Sequence, residues 1–222
     1  MPVLLEFLRV LLDWFSLKRG LAEDIVKRLF KLNAILFGEF TLTSGLKSPY
    51  YIDLRVIPSY PDDFINVCNA YYEILANEVG SFDRIAGVPT AGIPFATMLA
   101  YRFRKPLIYV RKEVERGHGR GRIVEGVLNV NDRVVIIDDV ATTGESLMLT
   151  AQSIVSMGGR VEDAVVLVDR EQGAEANLMK MGVKLHSLVK ISDAAKILLD
   201  HGLINDELYN KILSYVRGKL IG

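Results

Sequence analysis

Residues 133–146 read Arg-Val-Val-Ile-Ile-Asp-Asp-Val-Ala-Thr-Thr-Gly-Glu-Ser, and this run limits the fold more than any other part of the chain. Val134 to Ile137 are consecutive β-branched residues, enough for one strand buried on both faces of a parallel sheet. Two aspartates end the strand, a turn of small and hydroxylated residues follows, and past Gly144 an apolar helical pattern begins at Leu147. The order is therefore strand, acidic pair, glycine loop, helix. Open α/β sheets take their ligands at the carboxyl ends of such strands. Loop N–H groups backed by a helix dipole suit a phosphate, whereas the acidic pair suits hydroxyls or a divalent cation. A phosphorylated ribose carrying a bound metal satisfies both halves. Taken alone, the same order also suits a plain helix-capping turn, and it is not a Walker A loop because no Gly-Lys-Ser/Thr follows.

Around this centre, 222 residues allow one well-buried α/β domain with some decoration. Twenty-seven Lys and Arg balance 27 Asp and Glu, so no global field recruits nucleic acid or an anionic membrane. The one cysteine, Cys68, lies in an apolar helical run with Phe64, Ile65, Val67, Tyr71, Ile74 and Leu75; it reads as core, excludes an internal disulfide and fits a reducing cytoplasm. Residues 1–17 predict an amphipathic helix with Glu6, Arg9, Asp13 and Ser16 on one stripe, too short and charged to span a bilayer and without the basic start of a signal peptide. A packing or dimer-contact role is expected for it, with membrane-surface attachment the alternative. We divide the chain into a helical extension, 1–20, and a single domain, 21–222. A second helix is expected over 21–36, ending near Gly38.

Residues 37–55 alternate around Phe40 and Leu42, turn at Ser44-Gly45 and continue through Tyr50, Tyr51 and Ile52, which predicts a hairpin. A strand over 84–88 leads into Pro89-Thr90-Ala91-Gly92 and a helix from Phe95, again a small-residue turn of phosphate size or simply a tight connection. Between Arg102 and Arg122 lie eight Lys or Arg and His118, against Glu113 and Glu115. Solvated charge is the plain explanation; nucleic-acid contact would call for interleaved aromatics, and residues 111–122 hold none. Further strands and helices complete an α/β alternation, with Arg170 after the strand over 160–168. His186 and His201 have no ligand-spaced partners.

Four of these stretches together resemble the orotate phosphoribosyltransferases, of the type I phosphoribosyltransferase family, over roughly residues 21–217. The central run matches that family's ribose-phosphate motif at Asp138, Asp139, Thr142, Thr143, Gly144 and Ser146. Residues 38–53 resemble its amino-terminal hood, about 37–55 here. Arg111-Lys112-Glu113 and His118-Gly119 resemble its catalytic loop, and Asp169-Arg170 its base-recognition arginine. Three positions depart from it: Thr43, Ala91 and Arg116 stand where family members often carry lysine. Arg116 keeps the charge without the compact ammonium geometry.

The resemblance implies a mainly parallel sheet flanked by helices, and transfer of a phosphoribosyl group from 5-phosphoribosyl 1-diphosphate to orotate. It implies catalytic roles for Lys112, Arg116, His118, Asp138 and Asp139, and donor contacts from Thr90, Ala91, Gly92, Arg111, Val140, Ala141, Thr142, Thr143, Gly144, Glu145 and Ser146. Orotate contacts are implied for Tyr51, Ile52, Thr142 and Arg170, the last because a guanidinium fork suits a carboxylate. Mg²⁺ is expected, carried by the donor, with Asp138 and Asp139 meeting the ribose hydroxyls either directly or through it. So is a cytoplasmic homodimer with shared sites, with no nucleic-acid or membrane partner. A transferase for another base and a non-catalytic nucleotide sensor are the alternatives. The hood and Arg170 weigh against the first, and the absence of an evident helix-turn-helix against the second.

Overall fold

The computed structural model describes residues 2–41, 47–111 and 123–220, and within them the side chains of 12–41, 47–111 and 123–218. Its first element, α1 (Pro2–Lys31), is one uninterrupted helix. This corrects the expectation of two helices, and the division at residue 20 falls inside it. Gly20 in a helix interior costs about 1 kcal/mol, too little to break a helix docked on both sides of it. Trp14 Nε1 and Lys18 Nζ both reach Glu78 Oε1, at 3.1 and 2.7 Å, while Ile25, Val26 and Leu29 are buried beyond. The helix also stops well before Gly38. Asn33 takes a left-handed φ of 55°, and Ala34 N–H returns to the Leu29 carbonyl at 2.8 Å.

The expected hairpin follows as β1 (Ile35–Thr41) and β2 (Lys47–Ile52), antiparallel and forming a small sheet of its own. After a short 3₁₀ turn come α2 (Pro61–Glu78), β3 (Arg84–Gly87), α3 (Gly92–Phe103), β4 (Leu107–Val110), β5 (Val124–Glu125) and β6 (Arg133–Ile137). The chain continues through β7 (Val140–Ala141), α4 (Glu145–Ser156), β8 (Arg160–Asp169), α5 (Ala174–Met179), β9 (Lys184–Lys190), α6 (Ile191–Asp200) and α7 (Asp206–Leu220). In the large sheet the order is β5-β4-β3-β6-β8-β7, with β9 also on β8. All its pairs are parallel except β4–β5.

Both faces of this sheet are covered, which explains the unbroken apolar strands. Val135, Ile137, Val165 and Leu167 face the side covered by α1, α2, α3, α6 and α7, and Val134, Ile136, Ala164 and Val166 face the side of α4 and α5. Cys68 is buried in the first of these layers, and burial pushes its thiol up to about 12, as its core reading requires. Among the described residues no helix is long and apolar enough to cross a membrane.

The topology places the site. From β3 the chain steps to β4 on one side, then returns to β6 on the other, so the strand order reverses between β3 and β6. At such a reversal the two following loops diverge and leave a crevice at the carboxyl ends of the strands. The loops concerned are 88–91 and 138–144.

Candidate active site

These two loops touch through backbone. Val88 N–H donates to the Ile137 carbonyl at 3.0 Å, and a Cβ on Gly92 would stand 2.3 Å from that same oxygen and 3.0 Å from Asp138 Cα. Only glycine lets α3 begin here. The Pro89–Thr90 peptide is cis. Thr90 is exposed, Ala91 half-buried and Gly92 buried, so the turn predicted as a phosphate nest lies beside the acidic pair.

At the acidic pair the chain leaves β6 without losing its hydrogen bonds. Asp138 N–H donates to Val165 O at 3.1 Å, and Asp139 O accepts from Leu167 N–H at 3.0 Å. Each carboxylate takes the N–H of the next residue, Asp139 N to Asp138 Oδ1 at 2.9 Å and Val140 N to Asp139 Oδ1 at 2.8 Å. Burial pushes the Asp139 carboxyl up, against those hydrogen bonds and the more distant charge of Arg55. A carboxylate so desolvated gains strongly from hydroxyl donors or a cation.

Val140 and Ala141 pair with β8, and Thr142, Thr143 and Gly144 then turn into α4. Gly144 sits at φ 82°, and a Cβ there would meet Ala174 Cα at 3.2 Å, so both conformation and space call for glycine. Ala174 N–H donates to Thr142 O at 3.2 Å and Asn177 Nδ2 to Thr143 O at 3.0 Å, which turns the loop carbonyls towards α5. The first-turn N–H groups of α4 have no carbonyl inside the helix to bond, and Glu145 and Ser146 there are exposed. A cavity of about 530 Å³, lined in part by Val88, Pro89, Arg111, Ile123 and Ser146, joins this helix start to the first nest. That volume suits a small organic ligand. Arg111 enters it while paired with Glu125 at 2.7 Å.

Arg170 is buried, with its guanidinium carbon 4.9 Å from the centre of the Tyr50 ring. Its Nε and Nη2 have no hydrogen-bond partner among the described residues. The plain alternative, an ion pair with Asp169 or Glu171, is not formed. Asp169 Oδ1 accepts from Glu171 N–H at 2.8 Å and Glu171 Oε2 from Ser192 N–H at 2.9 Å. Tyr51 and Ile52, next on β2, are half-buried, and Tyr51 lies against Phe40 at 5.8 Å between ring centres. Lys112, Arg116 and His118, and also Thr43, lie outside the described residues.

Sequence reasoning missed several contributors. Tyr71 donates from α2 to the Asp138 carbonyl at 2.6 Å, Arg55 brings a charge towards Asp139, and Tyr50 backs Arg170. Tyr71 and Tyr50 stand in apolar runs that read as core, and they are core; nothing local marks their polar ends. His186, assigned no chemistry, binds Glu78 and Asp163 through its two ring nitrogens, far along β9 from the loops. No cluster of three or more His, Cys, Asp or Glu suited to a metal occurs among the described residues. The acidic pair nonetheless fits Mg²⁺, which favours one or two carboxylates together with substrate phosphates and water.

Comparison with known proteins agrees with this geometry. A model of the phosphoribosyl transferase domain matches residues 62–192. The chain is 44% identical over 195 residues to an orotate phosphoribosyltransferase of Staphylothermus marinus, covering 87% of this chain and 94% of that one. The crystal structure of orotate phosphoribosyltransferase from Aeropyrum pernix superposes with a TM-score of 0.68 at 37% identity, covering 80% of this chain and 99% of that one. A UMP synthase structure from Leishmania donovani gives 0.79 at 34% identity, covering 89% of this chain. The chain spans only 42% of that protein, and 41% of a bifunctional PyrF/PyrE enzyme of Nostoc.

Proposed function

Because the chain belongs to the phosphoribosyl transferase family, and within it to the orotate phosphoribosyltransferases, we propose that it joins orotate to 5-phosphoribosyl 1-diphosphate, releasing pyrophosphate and forming orotidine 5′-phosphate. The observation that carries the base is Arg170, a buried guanidinium with two donors unmatched among the described residues, on backbone bonded to the 138–144 loop at Ala141 O. A buried donor without an acceptor is costly, and a ligand carboxylate supplies two acceptors in the geometry of the fork.

In the reaction the orotate ring nitrogen, having given up its proton, bonds to the anomeric carbon as the carbon–oxygen bond to pyrophosphate breaks. Positive charge spreads onto the ribose ring oxygen, as at glycosidic centres. The chain's task is orientation and charge placement. Asp138 and Asp139 hold the ribose hydroxyls. The N–H groups from Thr142 to Ser146 hold the 5′-phosphate at the start of α4. Thr90, Ala91 and Gly92 accommodate the pyrophosphate with Arg111, Lys112 and Arg116, and His118 donates a proton to the leaving oxygen. Tyr51, Ile52 and Thr142 flank the base while Arg170 binds its carboxylate. Mg²⁺, when bound, offsets charge on the pyrophosphate and ribose oxygens. The reading extends to a cytoplasmic homodimer in which the basic loop of one subunit completes the other's site, supported by the resemblance of residues 111–122.

The test is loss of orotate absorbance with the donor and Mg²⁺ present, then with the metal chelated. Loss that ceases on chelation is expected. Donor binding without orotate consumption would reassign the base.

A further inference from the structure

We propose that Tyr71 is a positioning residue for the acidic pair: through a single peptide plane its hydroxyl sets the aim of the Asp138 carboxylate at the ribose. This rests on the transferase reading above. Tyr71 lies on α2, fully buried, and its Oη donates to the Asp138 carbonyl at 2.6 Å. The β6 ladder ends at Ile137; the neighbouring polar groups of the turn, Asp138 N–H and Asp139 O, engage β8 at Val165 O and Leu167 N–H. The Asp138 carbonyl instead meets α2, across the core. A carbonyl buried there needs a donor.

The peptide that carries this carbonyl also carries the Asp139 N–H, which donates to Asp138 Oδ1 at 2.9 Å. Because a peptide unit is planar and trans, its C=O and N–H point in opposite directions. Holding the carbonyl towards α2 therefore holds the N–H, and the carboxylate bound to it, on the far side. Without the hydroxyl the plane can rotate, and the carboxylate loses its anchor.

The phenol is well placed for this work. Its ring lies 5.4 Å from that of Phe95, which in turn meets Phe64 at 5.5 Å. Phe95 stands one turn into α3, the helix that opens at Gly92 against the same acidic turn. One side chain thus touches the acidic turn by a hydrogen bond and, through Phe95, the helix that follows the other loop. Burial, reinforced by the charges of Asp139 and Asp138, holds the phenol well above its ordinary range, so it remains a donor at any working pH.

Tyr71→Phe keeps the ring and deletes the donor. We expect a Tm within about 5 °C of wild type. The donor KM, and the donor Kd by calorimetry, should rise about tenfold, the loss of one charge-linked hydrogen bond, with the orotate KM unmoved. In an Asp138→Ala background the same change should cost less than about twofold in donor affinity, because the carboxylate it positions is gone. An equal loss in both backgrounds, or a lower Tm with unchanged donor constants, overturns the proposal. Since calorimetry reads donor binding alone, a wild type inert towards orotate would sink the base assignment and leave this test standing. Should Tyr71→Phe not fold, 3-fluorotyrosine at position 71 keeps ring and hydroxyl while strengthening the donor. A donor Kd changed by about twofold or more supports the coupling, and an unchanged Kd overturns it.

Discussion

Gly92 and Ile137 stand so close that the space for a methyl group between them is already taken by the Ile137 carbonyl oxygen, 2.3 Å from where a Cβ on Gly92 would lie. Backbone on both sides leaves nothing flexible to give way. Gly92→Ala should therefore part the 88–91 turn from the acidic pair and weaken donor binding at least about tenfold, since misplacement of even 1 Å is costly in a preorganised site. Calorimetry with the donor measures this. Unchanged affinity would mean that the two turns bind independently.

Arg170 offers, from a buried position, two donors unmatched among the described residues. Hydrogen bonds to charged groups are worth about 1.5–3 kcal/mol, so Arg170→Ala should raise the orotate KM about 10- to 100-fold and leave the donor KM nearly unchanged. Arg170→Lys should recover little, because an ammonium lacks the fork. An equal rise in both KM values would place Arg170 outside the base site.

His186 is buried between Glu78 at 2.9 Å and Asp163 at 2.7 Å, with Lys18 on the same Glu78 carboxylate and Lys184 nearby. Burial alone would lower its pKa, but the two carboxylates outweigh burial and raise it. Burial would likewise raise Glu78, yet His186 and Lys18 hold it at about 2. A raised histidine stabilises the fold fully below its unfolded pKa of about 6.5, and that stability is lost as pH climbs through the folded value. Glu78 acts at the other end: its contribution is complete above the ordinary carboxylate range and is lost as pH falls from that range through about 2. Thermal melting should thus show Tm declining above neutral pH. His186→Gln should flatten that decline and cost roughly 2–4 kcal/mol near pH 6, allowing for the partly exposed carboxylates. The same slope in the variant would assign the decline to another group.

For the proposed dimer, an Arg116→Ala subunit mixed with an Asp138→Ala/Asp139→Ala subunit should regain part of the lost turnover, because one hybrid site would hold an intact loop and an intact acidic pair. No recovery after verified subunit exchange would count against shared sites.

The chemistry-bearing turn was legible from local residue pattern. Four β-branched residues, two aspartates and a glycine loop read as a buried strand running into a helix, because β-branched side chains favour the strand and Gly144 lets the chain turn. The hood hairpin was equally legible, since period-two alternation around a Ser-Gly turn has few other solutions. The course of α1 was not legible. Propensity at Gly20 argues for a break, and contacts with Glu78, far along the chain, overrule it. Nor could any local pattern show that β3 and β6 are neighbours, which alone brings Gly92 against Asp138. Tyr71, Tyr50 and His186 read as core or as unassigned because their partners come from distant strands and helices. Side-chain periodicity tells which face a residue buries. Only the packed fold decides which polar atom waits on the other side.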